Sequence, residues 1–392
     1  MQDKIRLPYL AGGIKFNLME NAMSIQQLES KYKEEYQELK RSIKKPNILL
    51  LGGTGVGKSS LINTCFGEDL AEVGIGKPVT KYIESFSCDS KPIVLFDTKG
   101  YEIGSDKEKK FLNDVVKYAT TPKEDSSAIH IAWYCIQANG TRIVDFDISI
   151  IKKIYQAGLP IAIVLTKADL LSVDDAQKFK AVIKSAIPEI DIFETTIKDE
   201  LNNLQLSELC KWSINKLPEG LKLSFASAQQ KNIEIKRIEA NKIITQHVTG
   251  AGVVGFSPIP FSDAPILLLN QTGMLVRILF IYDLEAFSAQ LKGLLAGSVI
   301  SSLISESGIW LVAQIIKMIP TIGTAVGGMI SGAVAAAITY AIGMSVSELC
   351  ATMLQKISGG NVDELNKFMD EIDSLFVNSV ISKYKQRMEN SK

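Results

Sequence analysis

Four glycines in six residues, followed at once by a lysine and a hydroxyl, make up the run Gly52-Gly53-Thr54-Gly55-Val56-Gly57-Lys58-Ser59. The spacing fits G-x-x-x-x-G-K-[ST], a pattern that turns successive backbone N–H groups inward onto phosphate oxygens. Lys58 then reaches the terminal phosphates and Ser59 ligates Mg²⁺. The residues expected around the phosphates are Gly52, Thr54, Gly55, Val56, Gly57, Lys58, Ser59 and Ser60. The apolar run Asn47-Ile48-Leu49-Leu50-Leu51 before the loop predicts a buried strand. The residues after it, Ser59 to Asn63, predict the first turn of a helix, whose N-terminus adds positive potential.

A second constellation selects the base. Ile161-Ala162-Ile163-Val164-Leu165 predicts another buried strand, and it ends in Thr166-Lys167-Ala168-Asp169. A carboxylate at Asp169 accepts both the N1–H and the 2-amino group of guanine, and adenine offers neither donor there. The stem of Lys167 lies along the base plane. The ligand implied is GTP or GDP. Between the two motifs, Pro92 to Phe96 predicts a short strand ending in Asp97-Thr98-Lys99-Gly100, a D-x-x-G pattern. Asp97 holds Mg²⁺ through water and the Gly100 N–H faces the γ-phosphate. Thr80, in the glycine-rich stretch Gly74-Ile-Gly-Lys-Pro-Val-Thr80, is the candidate residue ordered by Mg²⁺ when that phosphate is present. Ser59, Thr80 and Asp97 form the expected metal set; Lys58, Thr80 and Gly100 form the expected catalytic set. Leu221-Lys-Leu-Ser-Phe225 predicts the last strand, which places Ser227 and Ala228 in a loop against the guanine.

Together these motifs resemble the translation-factor-related GTPases, and the Era-like proteins among them. The resemblance is closer to a group in which an Era-like domain is joined to a glycine-rich apolar helical domain. It is carried by Gly67 to Thr80, Phe96 to Glu102, and Ser257-Pro-Ile-Pro-Phe-Ser-Asp-Ala-Pro265. It implies an α/β P-loop GTPase domain, a mostly parallel sheet with helices on both faces, followed by an all-α C-terminal domain. In outline the arrangement is also similar to immunity-related and bacterial dynamin-like GTPases, by architecture alone.

The residue after Gly100 is Tyr101, where Ras-type enzymes carry the glutamine that orients the attacking water. Slow basal turnover is the expectation. Thr54, Lys99, Glu102 and Arg142 are the nearby groups able to assist, each with an alternative reading as an ordinary loop residue. A nucleotide-dependent homodimer is a further source of assistance.

Lysine plus arginine balances aspartate plus glutamate at 43 each, so no global basic field draws in nucleic acid, and no nucleic-acid partner is expected. Five scattered cysteines fit reduced thiols, and with two histidines no Cys/His metal site is expected. The start, Met1-Gln-Asp-Lys-Ile-Arg, lacks a secretory pattern, which predicts a cytoplasmic protein, with a peripheral membrane contact as an option.

Three regions follow from the composition: residues 1–45 with an amphipathic helix packing on the helical domain, a GTPase domain over 46–229, and an apolar helical domain over 230–392. Within the last, Asp263 ahead of Pro265 suits a helix start. Apolar segments cover 290–316 and 318–344, and the second is uncharged and long enough to span a bilayer. Its small residues, among them Gly323, Gly327 and Ala335, allow close helix approach. Two readings stay open: the core of a soluble bundle, or a hairpin that inserts into a membrane. From Val362 an apolar stripe predicts an amphipathic terminal helix.

Overall fold

The structure, a computed structural model, describes residues 25–67, 77–87, 91–98, 107–121, 127–138, 145–198, 204–230, 232–254, 263–282, 332–358 and 362–390. Its strands are β1 (Asn47–Leu51), β2 (Lys77–Pro78), β3 (Ile83–Ser87), β4 (Val94–Thr98), β5 (Ile131–Gln137), β6 (Ile161–Thr166) and β7 (Asp191–Glu194). They form one sheet in the order β2-β3-β4-β1-β5-β6-β7. From β4 to β7 every pairing is parallel, and the β2–β3–β4 edge is antiparallel. Parallel strands covered on both faces read as unbroken apolar runs, which is why Ile48 to Leu51 is apolar at every position.

The pleat sends alternate residues of each strand into two separate cores. Ile48 and Leu50 face α2 (Lys58–Phe66), α6 (Leu206–Lys216) and α7 (Glu219–Ala228). Leu49 and Leu51 face α3 (Lys107–Thr120), α4 (Asp145–Gln156) and α5 (Val173–Ala186). On the first face Phe66 stacks on Trp133 at 6.0 Å and meets Phe225 edge-on. The Trp133 Nε1–H donates to Ser213 Oγ at 3.0 Å, so the buried indole leaves no orphan donor.

That first core does not stop at the sheet and its flanking helices. It continues through α8 (Ile233–Val254), α9 (Asp263–Tyr282), α10 (Gly332–Ser358) and α11 (Val362–Glu389). α10 lies at the centre, packed on α8, α9 and α11. Its approach to α8 and α9 is close at Gly343, where a Cβ would lie 2.7 Å from Ile244 Cγ1 and 2.9 Å from Met274 Sδ. Over Ala335–Lys356 the helix is long and apolar enough to cross a membrane, yet 78% of its most apolar window is buried inside the protein. The helix α1 (Ile25–Ser42) packs on α9, with the Tyr36 ring edge-on to Phe280. The apolar segment 290–316 lies outside the described residues, as do 318–331.

Polar contacts stitch the two regions together where α7, α8 and α9 meet. The Ser227 hydroxyl donates to the Phe280 carbonyl at 2.7 Å. The buried Lys236 ammonium donates to the Ser227 carbonyl at 2.9 Å and the Ile281 carbonyl at 2.6 Å. A cation is favoured here because it caps the carbonyl-rich C-terminal ends of both α7 and α9.

The expectation of a last strand at Leu221–Phe225 is overturned. These residues lie inside α7, and the last strand among the described residues is β7, thirty residues earlier by start position. Leu221, Ser224, Phe225 and Ala228 are buried at helical spacing, and the Ser224 hydroxyl donates to the Lys44 carbonyl.

Candidate functional site

β1 delivers the glycine loop at the carboxyl edge of the parallel strands, where ligands of open α/β sheets bind. Gly52 has φ +129°, and a Cβ there would lie 2.2 Å from the Cys135 carbonyl oxygen. Only glycine lets the chain leave β1 so close to β5. Gly57 stands immediately before α2, whose first residue is Lys58. The Lys58 ammonium folds back over the loop, donating to the carbonyls of Gly52 (3.1 Å) and Gly53 (3.2 Å). Thr54, Gly55, Ser59 and Ser60 are exposed along the loop and the helix start.

β4 brings Asp97 alongside, its Cα paired with Leu50 in the neighbouring strand. Asp97 Oδ1 stands 3.7 Å from Lys58 Nζ, and it is buried without a hydrogen-bond partner. Burial pushes the Asp97 carboxyl above its ordinary value, with Lys58 opposing. A buried carboxylate oxygen without a hydrogen bond, and the exposed hydroxyl of Ser59 next to Lys58 in the chain, are oxygen donors that fit a divalent cation. Ser59 and Asp97 would hold Mg²⁺ there, and the ion would neutralise phosphate charge.

Thr80 occupies the tight turn between β2 and β3. Its hydroxyl accepts from the backbone N–H groups of Tyr82 (3.2 Å) and Ile83 (3.1 Å). Because Ile83 pairs with Thr98, this turn lies at the same sheet edge as the glycine loop. Among the described residues Thr80 makes no hydrogen bond to Lys58, Ser59 or Asp97. Gly100 falls outside the described residues, as do Lys99, Tyr101, Glu102 and Arg142.

At the other end, β6 positions Thr166, Lys167 and Asp169, the residues expected to read the base. The Thr166 hydroxyl lies within hydrogen-bonding distance of the Val56 and Ile136 carbonyls, tying the end of β6 to the glycine loop. Lys167 adopts a left-handed conformation (φ 54°), and its ammonium bridges Gln137 Oε1 (3.2 Å) and the Gly55 carbonyl (3.5 Å). Its stem therefore runs over the loop. Asp169 follows in a short 3₁₀ turn, Ala168–Leu170.

Both Asp169 oxygens are engaged from the loop after β7. The Thr196 hydroxyl donates to Oδ1 at 2.7 Å, and Lys198 Nζ meets Oδ2 at 2.8 Å. Hydrogen bonds from Lys198 and Thr196 hold the Asp169 carboxyl below the usual carboxylate range. The Ala168 N–H donates to the Thr195 carbonyl at 3.0 Å, which fixes one loop on the other.

The loop that meets Asp169 is this one, and not the segment holding Ser227 and Ala228. Those two are buried in α7, and the Ser227 hydroxyl is spent on the Phe280 carbonyl of α9. Thr196 and Lys198 are the residues that sequence reasoning missed. The signal was the alternating Ile190-Asp-Ile-Phe-Glu-Thr195 ahead of them, a short strand in period-two form.

The sheet order, the glycine loop and the Thr166–Asp169 segment after β6 are those of a P-loop GTPase domain of the Era-like kind, joined to a helical domain. Residues 47–167 match the 50S ribosome-binding GTPase family, and residues 224–375 match a domain of unknown function, DUF697.

Among curated proteins, GTPase Era of Ruminiclostridium cellulolyticum is 28% identical over 185 residues, covering 46% of this chain and 57% of its own. The probable GTP-binding protein EngB of Aquifex aeolicus is 27% identical over 157 residues, 39% of this chain and 83% of its own. Human Septin-9 is 24% identical over 201 residues, 43% of this chain and 34% of its own. Of the MIOREX complex component 8 of Saccharomyces cerevisiae and of Septin-9 of Rattus norvegicus, the chain spans only 44% and 34% of the length. Among solved structures, Aquifex aeolicus Era bound to GDP·AlF4⁻ aligns with a TM-score of 0.33 and 18% identity, over 50% of this chain and 68% of that one.

Proposed function

We propose that this chain is a Mg²⁺-dependent GTP-binding and GTP-hydrolysing switch that passes its nucleotide state to the helical domain. The observation that carries the nucleotide is the Asp169 carboxylate, held ionised by Thr196 and Lys198 beside the Lys167 stem that crosses the glycine loop. A fixed acceptor pair at that point favours guanine over adenine. Asp169→Asn replaces one acceptor by a donor, so the variant should trade GTP for xanthosine triphosphate. Unchanged GTP selectivity would remove the base assignment.

Hydrolysis in this reading is slow, on the order of 10⁻⁴ per second unassisted, because Tyr101 stands where a water-orienting glutamine is found in Ras-type enzymes. Single-turnover measurement separates a slow enzyme from a module that only holds GTP. The route of coupling is the buried junction of Ser227, Lys236 and Ile281, which ties the last helix of the GTPase domain to α9.

The output we propose is nucleotide-controlled association with a membrane surface, supported by the uncharged sequence 318–344. A second reading is favoured by a specific observation: the burial of Ala335–Lys356 suits a packed scaffold that presents a protein partner. Flotation with liposomes, nucleotide-free, with GDP and with a slowly hydrolysed GTP analogue, decides between them. Binding in the GTP state alone supports the first; none in any state supports the second.

A further inference from the structure

The Cys65 carbonyl belongs to the last turn of α2, where a helix leaves its final carbonyls without a partner of its own. The Gly67 N–H closes on the Asn63 carbonyl, but the Cys65 carbonyl is taken from outside the helix, by the Gln230 N–H at 3.1 Å. Gln230 lies in the linker from α7 to α8, and a Cβ at Gly67 would lie 2.9 Å from its Oε1. The far end of the linker is fixed as well. Asn232 caps α8 by accepting from the Ile235 N–H at 3.2 Å, and its Nδ2 donates to Ser207 Oγ of α6 at 3.2 Å. α2 therefore carries the glycine loop at one end and the domain linker at the other. Its nine residues make a rod of roughly 13 Å between them.

Gln229 stands within this joint. It is 1% exposed, and among the described residues neither Nε2 nor Oε1 has a hydrogen-bond partner. Buried polar groups are nearly always paired, and an idle donor and acceptor keep their full desolvation penalty. A shift that gave this amide a partner would offset the loss of another hydrogen bond nearby. That is the property a two-position element needs.

We propose that the Gln229–Gln230 joint relays occupancy of the phosphate site to α8. Phosphate and Mg²⁺ draw on Lys58 and Ser59, and α2 moves as a rigid rod. The Cys65–Gln230 bond then loosens while the Gln229 amide gains a partner, one hydrogen bond exchanged for another. The inference rests on the coupling proposed above and supplies its input, since Gln229 follows Ser227 of the buried junction by two residues.

Hydrogen exchange of the full chain tests the relay, nucleotide-free, with GDP and with a slowly hydrolysed GTP analogue. Fluorescent-GDP affinity is measured on the same samples. α11 serves as the internal reference, because a bound ligand slows exchange throughout a shared core. In the parent, nucleotide should change exchange in the first two turns of α8 by at least about fivefold relative to α11. Gln229→Met removes the idle polar atoms at similar volume. It should unfold at higher urea than the parent, bind GDP within about twofold of it, and lose the effect on α8. Gln230→Pro deletes the N–H that holds Cys65, at a place where Gln229 already has the extended backbone that precedes proline (φ −64°, ψ 129°). It should lose the effect too, whereas Gln230→Ala keeps the N–H and should keep the effect. If the proline variant does not fold, the other two decide alone. An effect that survives Gln229→Met or Gln230→Pro overturns the relay, and so does its loss in Gln230→Ala. A parent that binds GDP with no effect on α8 removes the coupling reading and the relay together. A parent that binds no guanine nucleotide fails earlier, at the nucleotide site itself.

Discussion

Thr196 and Asp169 are 27 residues apart in the chain, and the threonine hydroxyl donates to the carboxylate at 2.7 Å. The bond joins the loops that follow two adjacent parallel strands and aims the acceptor pair proposed above to read the base. Removing it with Thr196→Ala should leave the fold intact and free the carboxylate to rotate. A hydrogen bond to a charged group contributes about 1.5–3 kcal/mol, so GDP affinity should fall by roughly ten- to a hundredfold. Titration calorimetry reads this directly, and an unchanged affinity would detach Thr196 from the base site.

Asp97 gives a pH-dependent prediction with a definite sign. Its folded-state carboxyl is raised above the ordinary value by burial. Between the unfolded and folded values the native state binds more protons, so this group lowers stability as pH rises through that window. Asp97→Asn should therefore melt higher than the parent at neutral pH, and the difference should vanish in acid. The same variant should lose Mg²⁺-dependent tightening of nucleotide binding. A lower melting temperature at neutral pH would contradict the burial argument.

Gly343 is the point of close approach for three helices, with Ile244 and Met274 already inside the space of a side chain. Gly343→Leu should cost about 1–3 kcal/mol or more through overpacking. Urea unfolding of the full chain checks the figure. A neutral effect would mean that α10 sits less tightly against α8 and α9 than described.

Lys236→Met removes the ammonium that bridges the Ser227 and Ile281 carbonyls. Two buried acceptors lose a donor, at a cost of about 1–3 kcal/mol each. Hydrogen exchange should then quicken in the last turns of α7 and α9 before it quickens in β1. Uniform change across all three would make Lys236 an ordinary core residue.

The glycine loop and Asp169 were legible because each is a local pattern next to an apolar strand, and strand-ending loops of a parallel sheet gather at one edge. The loop that meets Asp169 was not. β7 has four residues, half-buried, too short to outweigh its neighbours. Leu221, Leu223 and Phe225 alternate with Lys222 and Ser224, which is strand spacing, while Leu221, Ser224, Phe225 and Ala228 share a helix face. The sequence supports both periods there. Packing decides for the helix: Phe225 is buried against Phe66, and Ser224 and Ser227 find acceptors in Lys44 and Phe280.

The unbroken core from Ile48 to Tyr384 has a thermodynamic consequence. Two regions that share one apolar interior have no seam along which to melt separately, so they should unfold in a single transition. Any ligand that holds the folded state, wherever it binds, stabilises the whole by mass action. Guanine nucleotide at the sheet edge then acts as a thermal ballast for helices that never touch it. Severing the chain after Gln229 would leave each fragment with half an interior and a tendency to aggregate.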